Sequence, residues 1–324
     1  MNISHRKFLT LALCALCATG SAFAQDGYPR KPITLVVGFT PGGISDVLAR
    51  VLATRLSAQM GQSVIVENKP GAATTIASAY VASAPADGYT LLFQDMTSHA
   101  INAAAYKKLR YDAWNDFSMV TLVASTPLML ISSNALNTKD VKSLVEFGKA
   151  KPDGVAYASS GNGAITHLAG ETFKGLTGVK ALHAPYKGGA PATLAVMSGE
   201  VAYTFSTMPP ALVQVKAGKV QALAVTSATR VSAAPDVPTM RESGVPMDVV
   251  LYNGILGPKG LPPAIVARLG EEVKKALASP EMKQTLANAG ADELTSTPAE
   301  FAALMKVEAE KMAKAVQGAG VVLD

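Results

Sequence analysis

Cysteine is nearly absent from this sequence. Its two cysteines, Cys14 and Cys17, both lie in an N-terminal segment that is predicted below to be removed. The remaining chain can therefore form neither a disulfide nor a thiolate metal site, and its stability must come from an apolar core. A chain of 324 residues is long enough to build two domains with such cores.

Long hydrophobic runs and a strong charge are missing as well. Downstream of the N-terminus, no apolar run approaches the roughly 20 residues that a membrane-spanning helix needs. The formal net charge is +5, and without Arg6 and Lys7 it is +3, from 27 basic and 24 acidic residues. So small an excess of scattered basic residues predicts no nucleic-acid partner.

Motifs for catalysis and metal binding are also lacking. His99, His167 and His183 form no H-E-x-x-H or i, i+4 pair, so no metal site is predicted. The nearest match to the G-x-S-x-G nucleophile motif is 43–47, and it lacks the final glycine. We therefore predict that the chain is not an enzyme and needs no cofactor.

The N-terminus has the three parts of a secretory signal peptide. Residues 5–7 are basic, residues 8–19 are apolar but too short to span a bilayer, and 22–24 form an A-x-A cleavage site. His5 stands where a twin-arginine signal needs arginine, which favours the general secretory route. We expect residues 1–24 to be removed near Ala24/Gln25 and the product to be periplasmic.

The segment ITLVVGFTPGGISD, residues 33–46, predicts a buried strand, a tight Gly-rich turn and a helix beginning near Ser45. Backbone N–H groups at such a turn and at the helix N-terminus favour an anion. An isolated turn of this kind is more often a plain connection, and Asp46 more often fixes its loop than acts as a base. The candidate ligand-binding residues here are Thr40, Gly42, Gly43, Ile44, Ser45 and Asp46.

The order of predicted elements indicates an α/β fold with two doubly wound sheets. Residues 33–93 show the β-α-β-α-β order of a parallel sheet, and a second α/β series follows from Lys139. Strands 119–125 and 128–132 are predicted to be separated by a break at Pro127. The helix-rich C-terminus is expected to return to the first sheet, with crossings near 122–127 and 246–253. This predicts two lobes, one of residues 25–125 and 248–324, and one of residues 126–247.

A second Gly-rich turn, ASSGNGAIT, opens the helix that begins near Ile165. It departs from the dinucleotide fingerprint G-x-G-x-x-G at Thr166, which disfavours NAD. Its hydroxyl groups, with no lysine or arginine beside them, suit a carboxylate better than a phosphate. The candidate ligand-binding residues in this second turn are Ser159, Ser160, Gly161, Asn162, Gly163, Ala164, Thr166 and His167.

With these motifs the chain resembles the Bug or TctC-type periplasmic receptors of tripartite tricarboxylate transporters. The matching segments are YPRKPITLVVGFTPGGISD, VIVENKPGAA, ADGYTLL, YASSGNGAITHLAGE, HAPYKGG and DVPTMRESGVP. The resemblance implies a two-lobed, type II periplasmic binding-protein fold that closes on a small carboxylate, held by both Gly-rich loops. It also implies a monomer that delivers the ligand to membrane permease subunits. A sensor that signals to a membrane partner without transport is the alternative.

Two departures from the family pattern concern specificity. Tyr252 replaces the tryptophan that is usual on the returning strand, and Ile44 is bulky beside the turn glycines. With Met96, Phe205 and Met208, which are expected near strand ends facing the cleft, Ile44 indicates an apolar or aromatic carboxylate. Tyr186 and Ser206 complete the predicted ligand-binding set.

Overall fold

The computed structural model describes residues 27–323. The predicted signal peptide and its cleavage point lie outside the described residues. The strands are β1 Ile33–Val37, β2 Val64–Asn68, β3 Thr90–Asp95, β4 Phe117–Ser133, β5 Val155–Ser159, β6 Ala181–Pro185, β7 Tyr203–Thr207, β8 Val220–Val225, β9 Val250–Pro258 and β10 Asp292–Glu293. The helices are α1 Ile44–Met60, α2 Thr75–Ala82, α3 Met96–Ala105, α4 Val141–Ala150, α5 Ile165–Thr177, α6 Gly189–Ser198, α7 Met208–Lys216, α8 Pro263–Leu277, α9 Pro280–Asn288 and α10 Pro298–Ala319. Two short 3₁₀ turns lie at Ala72–Thr74 and Asn134–Leu136.

The first sheet has the strand order β2-β1-β3-β9-β4. Strand β1 runs parallel to β2 and β3, which confirms the predicted parallel arrangement. Strand β9 enters from the C-terminal part of the chain and lies antiparallel between β3 and β4. The first lobe is built on this sheet, and none of the helices within residues 27–323 is long and apolar enough to cross a bilayer.

The second sheet has the order β8-β4-β7-β5-β6 and carries the second lobe. Its strands β5, β6 and β7 are parallel, whereas β4 is antiparallel to both β7 and β8. The C-terminal helices α8 and α9 pack against α1, and α10 packs along α3. The last part of the chain thus covers helices of the first lobe.

Strand β4 belongs to both sheets, and the predicted break at Pro127 is wrong. The strand is 17 residues long and continuous. It pairs with β9 as far as Pro127, and from Leu128 onward with β7 and β8. Proline has no N–H to give to a ladder. Pro127 is the last residue of β4 that pairs with β9, and the pairing with β7 and β8 begins after it. Its missing N–H therefore does not interrupt the strand.

Thr226 joins the two chain segments that cross between the lobes. Its hydroxyl accepts a bond from Leu128 N (2.8 Å) and donates one to the Val249 carbonyl (2.6 Å). Its own N–H donates to Leu128 O (2.9 Å), and Val249 N donates to its carbonyl (3.1 Å). One fully buried side chain therefore holds β4 to the segment that leads into β9.

We predict that Thr226→Val destabilises the protein by roughly 2 kcal/mol, because the similar-sized side chain leaves a buried N–H and a buried C=O unpaired. The measurement is the midpoint of urea unfolding. Thr126→Val is the matched control, since the buried hydroxyl of Thr126 has no hydrogen-bond partner among the described residues. It should leave the midpoint unchanged or raise it. Equal losses in the two variants would contradict the role given to Thr226.

Candidate functional site

A small cavity lies between the lobes, where strands of both sheets reach their carboxyl ends. It has a volume of about 10 Å³, which is room for about one water molecule. Strands β1 and β3 end there from the first lobe, and β5 and β7 from the second. The cavity is lined by Phe39, Gly43, Ile44, Ser45, Asp95, Ser160, Ile165, Gly189, Thr207 and Leu251. We call it the interlobe cavity.

Five helices begin at the interlobe cavity. Each of α1, α3, α5, α6 and α7 contributes its N-cap residue or a residue of its first turn to the lining. The N-terminus of a helix carries unpaired N–H groups and a partial positive charge. Because five such ends converge, the cavity favours an anion.

Four of these five helices lack a side-chain cap. The N-cap residues of α1, α5, α6 and α7 are Gly43, Ala164, Gly188 and Thr207, and none of them hydrogen-bonds the helix N-terminus through its side chain. Away from the cavity, α4, α9 and α10 are capped by Asp140, Ser279 and Thr297, whereas α2 and α8 also lack a side-chain cap. The first N–H groups of α1, α5, α6 and α7 therefore receive no acceptor from the side chain of their own N-cap residue.

Hydroxyl groups add further donors. The hydroxyl of Thr207 is buried without a partner among residues 27–323. Ser45 Oγ accepts a bond from Asn253 Nδ2 (3.0 Å) and keeps its proton free to donate. No lysine or arginine from the described part of the chain lines the cavity. An anion here would therefore be held by N–H groups and hydroxyls, as the sequence predicts.

Asp46 fixes the first Gly-rich loop. Its carboxylate accepts bonds from Gly42 N (3.0 Å), Asn68 Nδ2 (2.9 Å) and Arg50 Nε (3.0 Å). Burial favours the neutral acid, but the bonds from Arg50, Gly42 and Asn68 outweigh it and hold the pKa of Asp46 below its usual value. The loop-fixing role that the sequence predicts for Asp46 is confirmed, and its oxygens are occupied by the protein itself.

The second Gly-rich loop is held by its own side chains. Thr166 Oγ1 accepts a bond from Ser160 N (2.8 Å), and Ser159 Oγ accepts one from Gly161 N (3.1 Å). His167 Nδ1 accepts a bond from Gly163 N (3.2 Å). His167, which the sequence predicts as a ligand-binding residue, contacts the loop that precedes its own helix. Ser160 lines the interlobe cavity, while the side chains of Ser159, Thr166 and His167 position the loop.

The two lobes touch directly around the cavity. Thr40 N donates to Lys187 O (3.3 Å), and Ile165 N donates to Ser98 Oγ (3.0 Å). A Cβ atom on Gly163 would lie 2.5 Å from Asn102 Oδ1 across the cleft. One on Gly188 would lie 2.3 Å from Thr40 Oγ1. Glycine at these positions is what lets the lobes approach so closely.

Three predicted residues point away from the cavity. Asn162 is exposed to solvent. The Tyr186 hydroxyl donates to Glu200 (2.7 Å). Leu251 lines the cavity, so the next residue on the strand, Tyr252, faces the opposite side of β9. The positions predicted for these three side chains are therefore corrected.

Three more predicted residues lie in the interior. Phe205 packs on Phe173, with ring centroids 5.6 Å apart. Ser206 shares a hydrogen bond with Thr193 (2.7 Å). Met96 is fully buried and begins α3 directly after β3, where the sequence predicts only a strand end. Their side chains fill the core and do not line the cavity.

The cavity contains residues that the sequence reasoning missed. They are Phe39, Asp95, Ile165, Gly189, Thr207 and Leu251. Gly189 ends the PYKGG turn and begins α6, and Thr207 stands just before α7, which has prolines in its first turn. Each position carries a local signal of a helix start, by which it could have been found. Asp95 and Leu251 have no such local signal, because the pairing of β3 with β9 brings them to the cavity.

The described histidines belong to the packing of the lobes. His167 and His183 stack with ring centroids 3.9 Å apart, and His99 bonds Gln94 and the Ala113 carbonyl. Burial lowers the pKa of His99 to about 4, that of His183 to about 3, and that of His167 below its usual value. Within residues 27–323 no group of three or more His, Cys, Asp or Glu side chains could hold a metal ion.

Comparisons with known proteins agree on one family. A family model described as the tripartite tricarboxylate transporter family receptor, TctC, matches residues 48–321. The protein BugT of Bordetella pertussis is 33% identical over 325 residues, covering 100% of both chains. The structure of Rpa4515 from R. palustris with adipate has a TM-score of 0.88 at 34% identity, covering 91% of this chain and 99% of that one. MatC from Rhodopseudomonas palustris, with bound malate, has a TM-score of 0.84 at 30% identity, covering 89% and 100%.

We predict that stability falls as the pH drops from 6.5 to 5. His99 and His183 stay neutral in the folded protein over this interval but take up protons in the unfolded chain, so stability is lost as the pH falls below 6.5. The lowered pKa of His167 acts in the same direction. For His99 the loss over this interval is about 1.5 kcal/mol. Asp95, whose pKa burial raises to about 6, works in the opposite direction and offsets one histidine.

The measurement is the urea midpoint at the two pH values. His99→Gln should reduce the difference between them, whatever its effect on stability at pH 7. An unchanged difference in this variant would refute the assignment.

Proposed function

The chain belongs to the TctC family of tripartite tricarboxylate transporter receptors, and on that premise we propose that it captures a small carboxylate between its lobes and delivers it to a membrane permease. The family is one of solute-binding receptors and not of enzymes. The receptor would act in the periplasm as a monomer, after export and removal of residues 1–24. The family match, which covers residues 48–321, supports this reading.

The convergence of five helix N-termini on one cavity is the observation that carries the proposal. It supplies backbone donors from both lobes, and no lysine or arginine competes for the anion. The relatives with adipate and with malate bind carboxylates in the same fold. We infer that the carboxylate of the ligand takes the place to which the uncapped ends of α1, α5, α6 and α7 point.

The rest of the cavity lining favours an apolar ligand body. The four large side chains at the cavity are Phe39, Ile44, Ile165 and Leu251. The preference for an apolar ligand therefore rests on these four side chains and no longer on Met96 and Phe205, which lie in the core. A compact aliphatic or aromatic carboxylate fits these walls better than a tricarboxylate, whose additional charges would face apolar carbon.

We propose that binding is coupled to closure of the lobes. One lobe would comprise residues 25–125 and 248–324, and the other residues 126–247. The hinge would lie at the two crossings that Thr226 holds together, β4 near Leu128 and the segment before β9. Direct contacts across the cleft, Thr40 N to Lys187 O and Ile165 N to Ser98 Oγ, support a closed arrangement of the lobes here.

The first test is a thermal-shift screen against dicarboxylates, aromatic and aliphatic monocarboxylates, and amino acids. We predict a rise in melting temperature with at least one carboxylate, because a ligand that binds only the folded state stabilises it. The amides of the same acids are the controls and should produce no shift. Shifts with amines or sugars alone would contradict the proposal.

The second test is Gly163→Ala. Its Cβ would press on Asn102 and Leu323 across the cleft, so we predict at least a roughly 100-fold weaker affinity for the carboxylate that shifts the wild type most. Calorimetric titration measures it. Gly244→Ala is the matched control: its φ is +82° against +84° for Gly163, but its Cβ would meet open space. Gly244→Ala should bind as the wild type does, and a Gly163→Ala variant that binds equally tightly would contradict the closure model.

A further inference from the structure

Among residues 27–323, Asp95 is the only ionisable one that lines the interlobe cavity. Its side chain is buried and caps α3: one oxygen accepts a bond from Ser98 N (2.9 Å), and the other accepts a bond from the Ser98 hydroxyl. The same hydroxyl accepts a bond from Ile165 N of the second lobe (3.0 Å). The acid is thus connected to both walls of the cavity.

No cation in the described part of the chain forms an ion pair with this carboxylate. The groups around it are neutral: Ser98 and Thr97 on α3, Ser45 on α1, and Asn253, its register partner on β9. His99 on the same helix turns its ring to Gln94 and the Ala113 carbonyl. The nearby Asp46–Arg50 pair is satisfied within its own loop.

An acid at this place conflicts with a simple carboxylate ligand. Both would occupy one small cavity, and two like charges in a desolvated site repel strongly. Burial raises the pKa of Asp95 to about 6, so at neutral pH it is mostly ionised. The helix N-termini stabilise one negative charge readily, but a second one needs a partner of opposite charge.

We propose that Asp95 makes the site selective for carboxylates that also carry an ammonium group, that is, for amino acids. The carboxylate of the ligand is held by the helix N-termini and the hydroxyls of Ser45 and Thr207, while the ammonium group pairs with Asp95. The ammonium group then offsets the repulsion between Asp95 and the carboxylate of the ligand. This inference rests on the carboxylate-binding function proposed above and narrows its substrate class.

The experiment compares pairs of ligands that differ only in the amino group, measured by calorimetric titration at pH 7.5. The pairs are alanine and propionate, aspartate and succinate, and 4-aminobutyrate and butyrate. In the wild type, the amino member of the preferred pair should bind at least about tenfold more tightly. Desamino acids that bind as well or better would overturn the inference and leave the carboxylate receptor standing, whereas no binding by any acid would overturn both.

The decisive variant is Asp95→Asn. Asparagine also caps helices well, so α3 should keep its start. We expect the amino acid to lose at least about tenfold in affinity and the desamino acid to gain, so that the preference disappears or reverses. Asp153→Asn, an exposed aspartate of the second lobe, is the matched control and should change neither.

A proton could neutralise Asp95 in place of an ammonium group. In that case a simple carboxylate would bind the wild type about tenfold more weakly for each pH unit above 6, and Asp95→Asn would bind it equally at all these values. That result would overturn the amino-acid assignment. Amino-acid binding that is independent of pH between 6.5 and 8, and lost in Asp95→Asn, would support it.

Discussion

Uncapped helix N-termini buried between the two lobes are the constraint on which the rest of this structure depends. Backbone N–H groups that are removed from water need acceptors, and the helices that begin at the cavity do not provide them from their own N-cap side chains, except for α3. The parallel strands bring this about, because each strand that ends at the cavity delivers a helix start to the same place. An anion satisfies these groups without any cationic side chain.

Close approach of the lobes depends on positions without a side chain. Gly161 packs near Ala73 N, with its would-be Cβ at 3.4 Å, and Gly163 and Gly188 meet Asn102 and Thr40 more closely still. These contacts surround the cavity and leave little room for water in it. Desolvation strengthens the hydrogen bonds to a bound anion, so in the proposed function the glycines contribute mainly by allowing closure, and less by contacting the ligand.

The connection between the lobes combines continuity with a single polar junction. Strand β4 passes from one sheet into the other without interruption, and Thr226 ties the returning segment to it. Two strands held at one point can bend together while each lobe keeps its own core. Such an arrangement suits a receptor that must open and close around a solute.

Features that depend on neighbouring residues can be read from the sequence alone. The parallel β-α-β-α-β order, both Gly-rich loops, the loop-fixing role of Asp46 and the lack of a cationic clamp follow from local pattern and composition. Which side chains reach the cavity depends instead on how the chain packs in three dimensions. Strand register selects Leu251 over Tyr252, since adjacent residues on a strand face opposite sides. The pairing of β3 with β9 and the meeting of the lobes bring Asp95 and Thr207 to the site from distant parts of the chain. Such long-range pairing leaves no local sequence signal, because it depends on how separate elements pack.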